Sequence, residues 1–184
     1  MALLAAAAAL SVGAPAARAT AAPDSSQLPA RLLAAHNAVR LQMGERPLAW
    51  DPALAQGAAS YAAQLALSNS FQHSNRRARP GIGENLWMGT RGAFSYEAMV
   101  GGWSSEARYF MPGQFPSVSR SGNWADVGHY TQMIWPTTTH VGCALASNAR
   151  SDYLVCRYSP AGNIDGRQLP YATTAGGGRI GRAR

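Results

Sequence analysis

Apolar residues recur every three or four positions in three stretches of the chain, and this spacing predicts three amphipathic helices. The first helix covers Ala30 to Met43, and Gly44 ends it. His36 and Arg40 are polar members of this helix. Each of them is explained either as a surface residue or as a residue that packs against a neighbouring element.

The second and third helices each begin at a side chain that can cap a helix. Asp51 precedes the second helix, with Pro52 in the first turn, where its missing N–H is not needed. Ser95 precedes the third helix, and Glu97 lies near its positive end. The alanine-rich second helix is suited to close packing against another element.

Two carboxylates fall on otherwise apolar faces. The stripe of the third helix consists of Met99, Trp103, Glu106 and Phe110. In a strand over residues 84–88, Glu84 shares a face with Leu86 and Met88. An isolated buried carboxylate is costly, so each glutamate is expected to have a partner or to lose its charge.

A short helix is predicted at Gly128–Trp135, after a proline- and serine-rich loop over 111–124. Its inward positions are Tyr130, Met133 and Ile134, and Pro136 ends the turn. His129 would leave this helix on a neighbouring face. The octet by itself is equally well explained as a core helix that carries an incidental histidine.

The two cysteines, Cys143 and Cys156, lie in apolar segments on either side of a polar run, residues 147–152. Their symmetry about this run predicts two strands, 141–146 and 153–158, joined as a hairpin with a cross-strand disulfide. The alternative is two unrelated buried thiols. A disulfide would be typical of an oxidising compartment.

The ends of the chain differ in composition from the 152 residues between them. Residues 1–19 form a short apolar segment with an A-x-A cleavage signal at 17–19, which predicts a signal peptide rather than a membrane span and hence a secreted or periplasmic protein. Residues 172–184 are rich in glycine and arginine and are predicted to be disordered. Residues 20–171 hold 12 arginines and 9 acidic residues, a net charge of +3 that argues against specific nucleic-acid binding.

Four ionisable residues are candidates for a common site: His73, Glu84, Glu106 and His129. Two histidines can bind a divalent first-row metal ion, with carboxylates that complete or orient the site. Each of the four is also explained as an ordinary structural residue. Their spacing along the chain does not establish that they converge.

Four segments resemble the CAP superfamily of cysteine-rich secretory proteins, antigen 5 and pathogenesis-related class 1 proteins. Residues 128–135, with Thr137 and Thr138 after them, resemble its first signature, and residues 154–164 are similar to its second. Residues 36–40 and 83–86 resemble two shorter motifs. The segments occur in the family's order and cover about residues 30–164, so the chain is identified as a single-domain member, which we expect to be bacterial.

The resemblance implies an α+β fold, a three-layer α-β-α sandwich with a central antiparallel sheet. It also implies a cleft lined by His73, Glu84, Glu106 and His129, in which the two histidines would hold zinc or another divalent cation. Members of the family bind sterols or fatty acids, so a lipid is an expected partner. The sequence has two cysteines and hence one possible disulfide, so functions tied to the cysteine-rich C-terminal module of eukaryotic members are not expected of it.

Three functions follow as hypotheses. The first is a secreted, non-catalytic binding domain that takes a metal ion and an unidentified ligand in the cleft. The second is a metal-dependent peptidase or esterase with Glu84 or Glu106 as general base, although the sequence has no H-E-x-x-H motif. The third is an adhesive or lipid-binding surface at Arg76, Arg77 and Arg79, although a solvated loop is the favoured explanation of this segment.

Overall fold

The computed structural model describes residues 25–169. The signal peptide predicted at 1–19 and the tail predicted at 172–184 therefore lie outside the described residues. Between residues 25 and 169, no helix combines the length and the hydrophobicity needed to cross a membrane.

The predicted helices are present with slightly different bounds. They are α1 (Leu28–Gln42), α2 (Pro52–Ser68), α3 (Tyr96–Ser104) and α4 (Gly128–Met133). The Asp51 side chain accepts hydrogen bonds from the first-turn N–H groups of α2, and Ser95 caps α3 in the same way. The capping prediction is confirmed at both positions.

The strands form two sheets. They are β1 (Ala49–Trp50), β2 (Gly83–Thr90), β3 (Gly113–Gln114), β4 (His140–Ser147), β5 (Ser151–Ser159) and β6 (Gln168–Leu169). The main sheet has the order β1-β4-β5-β2, and its three long strands are antiparallel, as expected. The two-residue β1 adds a parallel edge to β4, and β3 pairs with β6.

The predicted hairpin is formed by β4 and β5. Cys143 and Cys156 lie directly opposite each other in its register and are joined in a disulfide. The disulfide prediction is confirmed, and the alternative of two separate thiols is wrong.

Helices cover both faces of the main sheet. On one face, Ala58, Ala62 and Leu65 of α2 pack against Tyr153 and Val155 of β5. The other face carries a cluster drawn from α1, α3, α4 and the sheet, which includes Leu32, Met99, Trp103, Met133, Leu154 and Tyr158. Because successive strand residues point to opposite faces, β5 contributes to both layers. The result is the expected three-layer α-β-α sandwich.

The third helix is shorter than its apolar stripe predicts. α3 ends at Ser104, and the chain continues as a 3₁₀ turn, Ser105–Tyr109. Glu106 therefore lies on this turn, where its carboxylate contacts His129 instead of continuing a helical stripe. Met88 also departs from its predicted buried face, since its side chain is exposed on the edge strand β2.

Candidate functional site

Glu106 holds the start of α4. One carboxylate oxygen accepts hydrogen bonds from the N–H groups of His129 and Tyr130, at 3.0 and 3.1 Å. The other oxygen is 2.6 Å from Nδ1 of His129. A carboxylate is favourable at this end because the first N–H groups of a helix have no partners within it. One side chain thus fixes both the helix start and the imidazole.

Arg40 of α1 holds the opposite end of α4. Its guanidinium is buried and donates to the carbonyl oxygens of Met133, Trp135 and Thr138, at 2.8, 3.0 and 3.2 Å. A cation suits this end, where helix carbonyls lack partners. Arg40 and His36 are both buried, so the surface explanation is wrong for these two residues and the packing explanation is confirmed.

The ring of His129 is held on a second side by Trp103 of α3. The two rings are stacked, with centroids 6.0 Å apart and planes inclined by 17°. The Trp103 indole N–H in turn donates to the carbonyl oxygen of Leu86 in β2. The imidazole is therefore positioned by contacts from α3 and from the 3₁₀ turn that carries Glu106, and not by its own helix alone.

Glu84 organises the second half of the site. Its buried carboxylate accepts hydrogen bonds from the Ser74 N–H and hydroxyl, at 2.9 and 2.7 Å, and lies 3.0 Å from Nδ1 of His73. Two guanidinium groups are slightly further away, with Nε of Arg79 at 3.8 Å and Nε of Arg157 at 3.6 Å. The expectation that a buried carboxylate requires partners is met at this residue.

The balance of these contacts keeps Glu84 ionised. Burial by itself would raise the pKa of this carboxyl group. The hydrogen bonds from His73 and Ser74, together with the charge of Arg79, outweigh burial and lower the pKa to about 2. An ionised carboxylate only accepts hydrogen bonds, so Nδ1 of His73 is the donor.

The two histidines share one hydrogen-bonding arrangement. Each has Nδ1 bonded to a glutamate, which in the neutral ring leaves the lone pair on Nε2. His73, Glu84 and His129 line one cleft of about 640 Å³, called here the His/Glu cleft. Glu106 joins this site through its contact with His129. Asn85 ties the two halves together, because its amide donates to the His129 carbonyl oxygen at 3.1 Å.

The lining of the His/Glu cleft includes both charged and apolar residues. Arg76, Arg79 and Asp165 contribute charged groups. Phe115 and Trp124 contribute apolar surface, and their rings pack edge to face at 5.4 Å. Almost half of the Trp124 side chain is exposed. A ligand that carries both polar and apolar groups would match this lining.

Two further residues position the cleft and were not predicted from the sequence. Gln132 of α4 accepts from the Gly162 N–H at 2.8 Å, and Gly83 leaves room for it, since a Cβ there would lie 2.1 Å from Oε1 of Gln132. Asn163 accepts from the Thr131 hydroxyl and donates to the Gly128 carbonyl oxygen, both at 2.8 Å. Gln132 lies in the first signature and Asn163 in the second, and their position in these signatures is the sequence feature that could have identified them.

A second grouping of potential metal ligands consists of His36, Cys143 and Cys156, whose ligating atoms lie within 4.8 Å of one another. Its chemistry does not suit a metal ion. The two sulfurs form a disulfide, and both imidazole nitrogens are engaged, with the Leu32 carbonyl at 2.7 Å and the Tyr158 hydroxyl at 2.8 Å. Burial lowers the pKa of His36 to about 4. The hydrogen bond with the Leu32 carbonyl opposes this shift, and the positive charge of Arg40 adds to it.

Comparison with known proteins gives consistent matches. The profile of the cysteine-rich secretory protein family, CAP, matches residues 33–158. Pathogenesis-related protein 1C of Nicotiana tabacum is 34% identical over 140 residues, which is 76% of this chain and 78% of that protein. Pathogenesis-related protein PRMS of Zea mays is 34% identical over 151 residues, 80% of this chain and 84% of that protein. The crystal structure of NaASP2 with Zn2+ is similar with a TM-score of 0.67 and 25% identity, over 88% of this chain and 91% of that one.

Proposed function

The chain belongs to the cysteine-rich secretory protein family, CAP, and from that premise we propose that it is a secreted, non-catalytic binding protein. Its His/Glu cleft takes a divalent metal ion, with zinc as the first candidate, together with an amphiphilic ligand of the lipid class. The observation that carries the proposal is the matched pair of histidines, each bonded through Nδ1 to a glutamate.

The donor set suits a divalent cation. A histidine that ligates a metal commonly gives its second ring N–H to a carboxylate, which fixes the tautomer and raises the basicity of the ligating nitrogen. Nε2 of His73 and Nε2 of His129 would hold the ion, and the two glutamates would orient them. When bound, the ion would supply a positive charge and open coordination positions to a ligand oxygen.

The polarity of the cleft supports an amphiphilic ligand. Phe115, Pro116 and Trp124 contribute apolar surface to its lining, and the two histidines contribute polar groups. A fatty acid or a sterol would place hydrocarbon against the aromatic rings and a carboxylate or hydroxyl near the histidines. Burial of hydrocarbon contributes about 25 cal/mol for each Å² removed from water.

The positions of the two carboxylates favour binding over hydrolysis. A hydrolase would need Glu84 or Glu106 as a general base. Glu84 is buried with a pKa of about 2, which makes it a weak base. Both oxygens of Glu106 accept hydrogen bonds from α4 and the His129 ring. Neither group is arranged to take a proton from water.

The disulfide supports secretion. Disulfides persist in oxidising compartments outside the cytosol, and the one between Cys143 and Cys156 lies buried within the main sheet. Export to the periplasm or the medium would follow from the signal peptide that the sequence predicts.

Diffraction from zinc-soaked crystals at the zinc absorption edge tests the proposed metal site. We expect one strong anomalous peak at bonding distance from Nε2 of both His73 and His129. A peak confined to the exposed His140 would count against the proposal. The same soak with a His73→Ala/His129→Ala variant should remove the cleft peak and leave any surface peak unchanged.

A further inference from the structure

The His/Glu cleft carries two opposite charges that the protein itself does not pair. Arg76 and Asp165 both line the cleft, and both are exposed. In the part of the chain that the structure describes, neither side chain forms an ion pair, with the other or with a third residue. The cleft therefore offers a ligand one accessible guanidinium and one accessible carboxylate.

The other charges of the lining compensate each other. Among the described residues, the other charged members of the lining are Arg79 and Glu84, whose Nε and Oε1 lie 3.8 Å apart. Both residues are buried, and Arg79 also donates to the Ser74 hydroxyl at 2.9 Å. Arg157 also contacts Glu84 but does not line the cleft. The charges left for a ligand to match are thus one positive and one negative.

An aromatic surface lies next to the segment that carries Asp165. The following residue, Gly166, donates its N–H to the Phe115 carbonyl oxygen at 2.9 Å, and the Phe115 N–H donates to the Arg167 carbonyl oxygen at 2.9 Å. The Phe115 ring packs edge to face on Trp124, at 5.4 Å. Trp124 lines the cleft with 45% of its surface exposed. A tryptophan ring is the aromatic group that attracts cations most strongly, so it adds to the attraction that the Asp165 carboxylate exerts on a cation.

Arg76 comes from a different part of the chain. It begins a short 3₁₀ turn, Arg76–Ala78, and the Asn75 side chain accepts a hydrogen bond from the Arg77 N–H at 2.9 Å. The same segment is attached to Glu84 through the N–H and hydroxyl of Ser74. An arginine side chain has five N–H donors in a planar fork that matches phosphate oxygens.

We propose that the amphiphile of the His/Glu cleft is a zwitterionic phospholipid, whose phosphate pairs with Arg76 and whose ammonium group binds Asp165 and Trp124. This inference rests on the proposed lipid-binding function and specifies the headgroup of the lipid. A fatty acid supplies one negative charge and leaves Asp165 unmatched, whereas a zwitterionic headgroup matches both side chains. Phosphatidylcholine and phosphatidylethanolamine share this chemistry.

The test is an NMR titration of the whole chain with dihexanoyl phospholipids below their micelle concentrations, in EDTA so that no metal takes part. Dihexanoyl phosphatidic acid lacks the ammonium group that phosphatidylcholine and phosphatidylethanolamine carry. We expect the zwitterionic lipids to shift the Trp124 indole N–H signal saturably, with about threefold higher affinity than phosphatidic acid. Tighter binding of phosphatidylcholine would assign the ammonium group mainly to Trp124, and tighter binding of phosphatidylethanolamine mainly to Asp165.

Two pairs of variants separate specific contacts from overall charge. Asp165→Ser should weaken binding of the zwitterionic lipids about threefold and should not weaken binding of phosphatidic acid. Arg76→Gln should weaken binding of all three lipids by a similar factor. The matched controls are Asp126→Ser and Arg77→Gln, which make the same charge changes at exposed residues that do not line the cleft. Both controls should bind as the parent protein does.

The outcomes that would overturn the proposal are distinct from those that concern the proposed function. Equal affinity for phosphatidic acid and for the zwitterionic lipids would overturn it, as would equal losses in the cleft variants and their controls. Saturable binding of decanoate without binding of either zwitterionic lipid would overturn it and leave the proposed lipid ligand in place. If no amphiphile shifts the cleft signals, both are wrong. Because EDTA is present throughout, the result is independent of zinc.

Discussion

Glu106 binds His129 twice, through the imidazole Nδ1 at 2.6 Å and through the backbone N–H at 3.0 Å. The same carboxylate therefore sets the position of the α4 backbone and the orientation of the ring that this helix carries. A ligand on Nε2 of His129 would encounter an imidazole that is already oriented. This reduces the entropy that is lost on binding.

The first prediction concerns this double contact. Glu106→Gln retains an oxygen for the backbone N–H groups but replaces the charged acceptor at Nδ1 with a neutral amide. We expect zinc affinity to fall about 10–100-fold, as for other partners of metal-bound histidines. Calorimetric titration measures the change.

The matched control is Glu97→Gln, which removes an exposed carboxylate of α3 that pairs with Arg31 of α1. We expect its zinc affinity to equal that of the parent protein. If the two variants lose affinity equally, the effect of Glu106 is one of overall charge rather than of contact with His129.

The second prediction concerns the other end of α4. Arg40→Met keeps the length of the side chain but leaves the carbonyl oxygens of Met133, Trp135 and Thr138 without their donor. We expect the free energy of unfolding to fall by about 3 kcal/mol, since each unsatisfied buried group costs about 1–3 kcal/mol. Urea denaturation of Arg40→Met and of the exposed-turn variant Arg150→Met measures the difference. A loss below about 1 kcal/mol in Arg40→Met would contradict the stabilising role of Arg40 at the end of α4.

The third prediction concerns the disulfide. Cys143 and Cys156 are separated by 13 positions, and closing a loop of this size stabilises the folded state by about 3 kcal/mol in the chain-entropy model. Cys143→Ala/Cys156→Ala should lose about this amount in urea denaturation. Adding reductant should destabilise the parent protein and leave the double variant unchanged. A parent protein that is insensitive to reductant after complete thiol release would contradict the prediction.

Sequence patterns predicted the helices and strands better than the contacts between them. Spacing located the four helices, and the symmetry of the cysteines located the β4–β5 hairpin. The apolar stripe that includes Glu106 identified this glutamate as a candidate site residue. It also predicted an α3 that is too long, because the apolar spacing continues across the 3₁₀ turn after the helix. Two-residue strands such as β1 and β3 are too short to produce a pattern.

The contacts that support the site could not be predicted from sequence patterns, for a different reason. Ser74 and Arg79 reach Glu84 across ten and five positions of irregular chain, where no periodicity applies. Arg40 meets the end of α4 over more than 90 positions. The grouping of His73 with His129 was inferred from the resemblance, and in the folded chain both histidines line one cleft.

The fourth prediction concerns pH. Burial lowers the pKa of His36 from 6.5 to about 4, so between these values the unfolded chain binds a proton that the folded chain does not. Stability contributed by the neutral ring is complete above pH 6.5 and is lost as pH falls towards 4, by about 1.4 kcal/mol per pH unit. His36→Asn should flatten this slope between pH 6.5 and 5, and the exposed-site variant His140→Asn should keep it. Equal slopes in the two variants would contradict the assignment to His36.

The central claim is that His73 and His129 together hold a divalent cation. Calorimetric zinc titration of the parent protein, of His73→Ala/His129→Ala and of the exposed-histidine control His140→Ala tests it most directly. We predict saturable binding of one zinc ion to the parent protein and to the control, with at least a 100-fold loss of affinity in the double variant. Equal zinc affinity in the parent protein and the double variant would contradict the claim.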